Sequence, residues 1–253
     1  MYLEKYDLKG RVAVVTGGGQ AIGLACVEAL AEAGAKVVIA DYNEKIAEDG
    51  RDAMKAKGYS CDVAVVDVTD AKGIEALADK LGKVDILVNN AGIARSEIRA
   101  EKMEDERWLN VLDVNLNGTF WCCRSFGKRM LAAGKGAIVN VGSMSGFIVN
   151  RPQEQSHYNA SKAAVHHLTK SLAAEWGARG VRVNAVAPTY INTPLNAFVK
   201  SKPEMYNAWI GGTPMARMGE VDEVASAVLF LASDAASLMT GSIVLVDGGY
   251  VCW

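Results

Sequence analysis

The sequence predicts a single doubly wound α/β domain, with a seven-stranded parallel sheet and helices on both faces. Three observations lead there. Short apolar runs alternate with longer helical patterns from one end of the chain to the other. Most of those runs are continuously apolar, which marks strands buried on both faces. No linker, low-complexity stretch or charge block divides the 253 residues, so 1–253 reads as one domain.

Strand one is V-A-V-V-T (12–16), followed by a glycine-rich turn and a helix over 21–33. K-V-V-I-A (36–40) is strand two; Asp41 ends it and a helix over 43–57 follows. Strand three, V-A-V-V (63–66), leads to a helix over 71–81. Strand four, D-I-L-V-N (85–89), precedes an unusually long helical pattern over 104–132. Strand five is A-I-V-N-V (137–141), ahead of a helix over 156–177. Strands six and seven are V-R-V-N-A-V-A (181–187) and I-V-L-V-D (243–247), with a helix over 220–232 between them. Strand–helix–strand repeats give parallel pairing through right-handed crossovers. The stretch 190–215 breaks the rhythm with prolines, polar residues, Met205, Tyr206 and Trp209, and reads as a substrate lid.

Composition removes several functions. A net charge of −2 offers no basic face for nucleic acid or an anionic membrane. The opening M-Y-L-E-K-Y-D-L-K-G lacks the apolar region of a signal peptide, and no apolar run spans a bilayer. Cys26, Cys61, Cys122, Cys123 and Cys252 are odd in number and lack C-x-x-C spacing, which suits reduced thiols in a cytoplasmic protein. His157, His166 and His167 share one helix without a carboxylate at ligand spacing, so no metal site is expected.

Ligands of such sheets bind outside the carboxyl ends of the strands, where strand order reverses. The first such end carries T-G-G-G-Q-A-I-G (16–23) and opens a helix, whose free N–H groups and partial positive charge suit a pyrophosphate. The spacing fits G-x-x-x-(G/A)-x-G through Gly17, Ala21 and Gly23, with Gln20 and Ile22 between; alone, a plain glycine turn fits equally well. Asp41 stands 18 residues after Gly23, where an acid accepts ribose hydroxyls and repels a 2′-phosphate. A helix N-cap is the rival role. Tyr42 and Asn43 follow in place of an Arg, which favours NAD over NADP.

In S-H-Y-N-A-S-K-A-A-V, Tyr158 and Lys162 lie one helical turn apart on one face. A phenol titrates near 10, and a nearby ammonium with an oxidised nicotinamide would stabilise the phenolate. Tyr158 then becomes an acid–base group for a hydroxyl/carbonyl pair.

With these motifs in order, the chain resembles the short-chain dehydrogenase/reductase family in its compact Rossmann form. The resemblance spans nearly the whole chain and rests on 16–23, N-N-A-G (89–92), N-V-G-S (140–143), Y-N-A-S-K (158–162), R-V-N-A-V-A-P (182–188) and V-D-G-G (246–249). It implies Tyr158 as acid–base, Lys162 on the nicotinamide ribose, Ser143 on the substrate oxygen, and Asn115 anchoring a water at a break in helix four. Asn117 and Ser145 are the rivals of Asn115 and Ser143. It also implies that Asp67 and Val68 touch the adenine, and that Asn89, Ala91 and Gly92 form the floor under the nicotinamide. Pro188, Ile191 and Thr193 face the carboxamide. It implies too that the 104–132 and 156–177 helices pair across a two-fold axis and that the C-terminal strand makes a second contact, giving a homotetramer.

Two departures from the family pattern stand out. Ala21 replaces a glycine at a helix start, where a negative φ is expected to tolerate it. Thr189 replaces the glycine after Pro188, so that turn should differ, because a β-branched residue resists positive φ. Within S-M-S-G-F-I-V-N-R-P-Q (143–153), Ser145, Asn150 and Gln153 offer hydroxyl partners, with Phe147 and Trp209 placed to close over a carbon chain. Together with the ending D-G-G-Y-V-C-W, this resembles the galactitol and arabinitol dehydrogenase branch. The implied function is NAD-dependent interconversion of a linear polyol, or another secondary alcohol, with its ketone. The alternatives are an NADPH-dependent 3-ketoacyl reductase and a catalytically silent nucleotide-sensing protein.

Overall fold

The computed structural model describes residues 1–252, with the side chain of Lys200 excepted; Trp253, last residue of the D-G-G-Y-V-C-W ending, lies outside the described residues. Its seven strands are β1 (Val12–Thr16), β2 (Lys36–Asp41), β3 (Cys61–Val65), β4 (Ile86–Asn89), β5 (Gly136–Val141), β6 (Val181–Pro188) and β7 (Ile243–Val246). They pair in the order β3-β2-β1-β4-β5-β6-β7, and every pair is parallel. The order reverses between β1 and β4, which opens a crevice above the ends of these two strands.

Alternate side chains of each strand enter opposite cores, which is why the runs are continuously apolar. Ala13 and Val15 of β1, Val37 and Ile39 of β2, and Ile86 and Val88 of β4 meet helices α1 (Ala21–Glu32), α2 (Glu44–Ala56) and α8 (Val221–Ala232). Val14, Val38, Leu87 and Ile138 point the other way, into α3 (Ala71–Leu81), α5 (Gly118–Ala133) and α6 (Ser156–Trp176). Burial of this kind contributes about 1.5–3 kcal/mol per large side chain.

Three elements differ from the expected ones. β3 begins two residues early, because Cys61 and Asp62 pair with Val37 and Val38; the polar Asp62 on this edge strand interrupts the apolar signal. The 104–132 helix is broken into α4 (Asp105–Leu112), a π-helical turn (Asp113–Asn117) and α5. Gly118 follows the turn and passes so close to β3's exit that a Cβ there would lie 2.7 Å from Val68. The 190–215 excursion folds as a 3-10 segment (Pro194–Ser201) and α7 (Pro203–Gly211). Its Tyr190, Val199, Met205 and Trp209 form a small separate core with Met144 from the turn after β5. No described helix is long and apolar enough to cross a membrane.

Candidate active site

A cleft of about 810 Å³ lies over the carboxyl ends of the strands. One end is the β1–α1 turn. Gly17 adopts φ +59°, and a Cβ on Gly23 would fall 2.0 Å from the Gly17 carbonyl oxygen. Only glycine lets the helix start this close to the strand. Asn90 Nδ2 donates to the Thr16 and Gly17 carbonyls at 3.1 and 2.9 Å and so braces the turn. Gln20, Ala21 and Ile22 complete this wall. The cradle fits a pyrophosphate. Ala21 departs from expectation, with φ +50° rather than a negative value. It turns the extended Gln20 (φ −154°) into the helix, a job that favours glycine.

Asp41 is 5% exposed beneath this turn. Its Oδ2 accepts the Gly19 N–H at 3.4 Å and its Oδ1 the Asn43 N–H at 3.1 Å. It is not the cap of α2: Asn43 fills that place, its Oδ1 accepting the Ile46 N–H at 3.1 Å. The carboxylate therefore serves the cleft wall. Asp67 and Val68 stand beside it at the exit of β3, Asp67 holding the Thr69 N–H and hydroxyl at 2.8 Å each.

The floor differs from the expected one. Ala91 and Gly92 line it, but Asn89 does not. The Asn89 side chain points into the sheet, where Nδ2 donates to Asn140 Oδ1 at 2.8 Å and Cys123 Sγ at 3.1 Å. Strand alternation hands the cleft position to Asn90, which the motif reading overlooked. Asn115 also lies behind the floor: a Cβ on Gly92 would be 3.2 Å from its Oδ1 and 3.5 Å from Lys162 Nζ. The Asn115 amide accepts the Ile93 N–H at 2.8 Å and spends both of its donors, on Ile93 O at 2.9 Å and Ser161 Oγ at 3.0 Å. It sits in the π-helical turn, as the break in helix four required. The rival Asn117 bonds only Asp113 at the surface, at 2.7 Å.

At the centre, α6 meets the end of β5. Tyr158, Lys162, Ser143 and Ser145 all face the cleft. Ser143 Oγ accepts the Ser145 N–H at 3.1 Å and donates to Ser145 Oγ at 3.0 Å. Burial pushes the Tyr158 phenol above its ordinary value, and a hydrogen bond with Ser143 draws it partly back. Lys162 Nζ lies 5.7 Å from the centre of the Tyr158 ring and donates to the Val141 carbonyl at 2.8 Å. Burial lowers the Lys162 ammonium to about 8. Without a cofactor, burial is therefore the dominant influence on the Tyr158 phenol, and it acts against the phenolate.

The far wall is a hydrogen-bonded frame. Asn150 Nδ2 and Gln153 Nε2 each donate to the Tyr190 hydroxyl at 3.1 Å, and Trp209 Nε1 donates to Gln153 Oε1 at 3.1 Å. Tyr190 and Trp209 stack with centroids 3.8 Å apart and planes within 1°. Gln155 closes the frame, donating to Asn150 Oδ1 at 2.9 Å and accepting the Ser96 hydroxyl at 2.6 Å. Tyr190 and Gln155 were not anticipated; Thr189 in place of a glycine was the signal for Tyr190, since it marked an altered turn. Thr189 is absent from the positive-φ residues, and its N–H donates to the Val246 carbonyl at 3.1 Å, which ties the residue after β6 to the end of β7. Pro188, Ile191 and Thr193 line this side as expected, with Ile191 bridged to Gly219. Phe147 does not: its ring packs on His166 with centroids 4.6 Å apart, away from the cleft.

Cys26, Cys61, Cys122 and Cys123 are buried free thiols, and Cys252 is exposed. Among the described residues no three His, Cys, Asp or Glu side chains cluster as a metal site.

A glycine cradle backed by an acid, continuous with a serine, a tyrosine and a buried lysine, defines a dinucleotide-binding α/β oxidoreductase. Residues 17–251 match the family model described as enoyl-(acyl carrier protein) reductase. The chain is 59% identical to galactitol 2-dehydrogenase of Rhizobium johnstonii, over 100% of this chain and 99% of that one. The crystal structure of gox2181 superposes with a TM-score of 0.98 at 56% identity, covering 100% of both chains. A gluconate 5-dehydrogenase from Burkholderia cenocepacia, solved with NADP and tartrate, superposes at 0.94 with 36% identity, again over 100% of both. The chain belongs to the short-chain dehydrogenase/reductase family, which works with a nicotinamide cofactor.

Proposed function

We propose that this protein interconverts a secondary hydroxyl of a linear polyol and the corresponding ketose, with NAD as the preferred cofactor. The observation that carries this is the convergence of Tyr158, Ser143 and Lys162 at the centre of a cleft with a phosphate cradle at one end and an amide–phenol frame at the other. Bound NAD supplies the hydride acceptor and a positive ring that favours the Tyr158 phenolate.

Gly17, Gln20, Ala21, Ile22 and Gly23 hold the pyrophosphate, and Asp41 takes the adenosine ribose hydroxyls. Asp67 and Val68 flank the adenine; Ala91, Gly92, Pro188, Ile191 and Thr193 surround the nicotinamide half. Asp41 favours NAD because its carboxylate repels a 2′-phosphate, although the Burkholderia relative was solved with NADP. Ser143 Oγ holds the substrate oxygen, and Tyr158 takes its proton. Lys162 spends one of its three donors on Val141, leaving two for the ribose and for the phenolate. Asn115 keeps the β4 loop and α6 in register rather than touching substrate.

The polyol assignment follows from the frame. An amide nitrogen carries two N–H groups, and Tyr190 takes one each from Asn150 and Gln153. The second N–H of each, with Ser145, meets the remaining substrate hydroxyls, each of which must replace the water it loses. The similarity to galactitol 2-dehydrogenase supports a hexitol of that kind. The 190–215 excursion acts as the lid. We further propose a homotetramer with reduced cysteines, working in the cytoplasm; light scattering should read about four times the 26.9 kDa chain mass. The activity test is oxidation of galactitol, followed at the reduced-nicotinamide absorbance with NAD and with NADP. A chain that binds NAD but turns nothing over would favour the nucleotide-sensing alternative.

A further inference from the structure

We infer that His166 is a positioning residue for the reaction: it holds the turn that presents Ser143. Tyr158, Lys162 and His166 recur every four residues on one face of α6, and all three reach the end of β5. Lys162 takes the Val141 carbonyl at 2.8 Å, and His166 Nε2 accepts the Ser143 backbone N–H at 3.4 Å.

The imidazole is wedged into the turn itself. A Cβ on Gly142 would lie 2.4 Å from His166 Nε2, and one on Gly146 would lie 2.5 Å from Cε1. The ring thus fills the space between the two glycines that bracket Ser143 and Ser145, and Phe147 covers it from outside. Nε2 acts as an acceptor, so the ring proton sits on Nδ1. Nδ1 is buried and has no partner among the described residues. A leucine or methionine would fill the same space without burying that unpaired group, so the acceptor at Nε2 is what the position gains from histidine. Burial, with Lys162 and Lys170 nearby, lowers the imidazole to about 4 and keeps that acceptor neutral.

The inference rests on the reading of Ser143 and Tyr158 as the groups that meet the substrate oxygen, and one set of variants separates the two. His166→Leu should lower kcat for galactitol oxidation by about 10- to 100-fold, the scale of a misplaced reacting group. The Kd for NAD, by tryptophan fluorescence titration, should stay within about twofold because the cradle is remote. His166→Gln offers an acceptor again and should recover most of the loss. In a Ser143→Ala background, His166→Leu should add nothing further, since both act through one hydroxyl. If His166→Leu is too unstable to purify, His166→Met fills the slot for the same comparisons. Near-normal kcat in the apolar variant, a glutamine variant no better than it, or full additivity with Ser143→Ala would overturn the positioning role. Near-normal kcat in Ser143→Ala itself would instead overturn the reading on which it rests.

Discussion

Ala21→Gly isolates the most unusual backbone feature of the cofactor cradle. Ala21 adopts φ +50° at the first position of α1. A left-handed conformation costs a residue with a Cβ about 1–2 kcal/mol. Glycine escapes that cost but returns about 0.4–1 kcal/mol through its freer unfolded chain. The net expectation is a gain of about 0.5–1 kcal/mol, or a Tm rise of about 1–4 °C at this chain length. The methyl group lines the cleft without filling it, so NAD affinity should change by less than about 1 kcal/mol, the scale of a Gly/Ala backbone difference. Thermal melts followed by circular dichroism, with isothermal titration of NAD, read both quantities. A lower Tm for the glycine variant would refute the left-handed assignment. A hundredfold tighter NAD would show that the methyl crowds the cofactor.

Three further outcomes follow from the same geometry. Tyr158→Phe should cut turnover by about 10²–10⁴ while leaving NAD binding intact, whereas Lys162→Ala should harm both; near-normal kcat in the phenylalanine variant removes Tyr158 as acid–base. Asp41→Ala should weaken NAD by about 10- to 100-fold, the worth of hydrogen bonds to a charged group, and improve NADP relative to it; an unchanged NAD/NADP ratio would mean the carboxylate only braces Gly19 and Asn43. His166 titrates near 4 rather than its ordinary 6.5, so folding favours its neutral form. Its contribution to stability is complete above about pH 6.5 and is lost as pH falls toward 4. Urea melts of wild type and His166→Gln should therefore converge as pH is lowered through that window, and a constant gap would contradict the shift.

The strand and helix order was legible because each strand feeds two cores, and continuous apolar runs report that directly. Asp41, Tyr158, Lys162 and Ser143 were legible because their chemistry sits at strand ends or at helical spacing. What stayed hidden depends on orientation and on tertiary contact. Asn89 and Asn90 are adjacent and identical, and only the strand's alternation decides which of them faces the cleft. Ala21 looked harmless because residue type does not reveal a left-handed φ. Asn150 and Gln153 read as free hydroxyl partners, yet half of their donor capacity goes to Tyr190, a residue that only the lid's own core brings over the cleft. His166 passed for an ordinary helix residue because the glycines that admit its ring are 20 and 24 positions away.

The central claim is that the cleft reads several hydroxyls of one substrate. Its most direct test is kcat/KM across a panel: four- to six-carbon polyols including galactitol, 2-alkanols of matched length, and 3-ketoacyl thioesters in the reductive direction, each with NAD(H) and NADP(H). A site built to hydrogen-bond hydroxyls discriminates against substrates that lack them far more strongly than an apolar pocket does. Polyols with NAD should exceed the 2-alkanols by at least about 100-fold, with the thioesters lower still. Should the 2-alkanols match the polyols, or the thioesters win with NADPH, the polyol account is contradicted and only the dehydrogenase/reductase assignment stands.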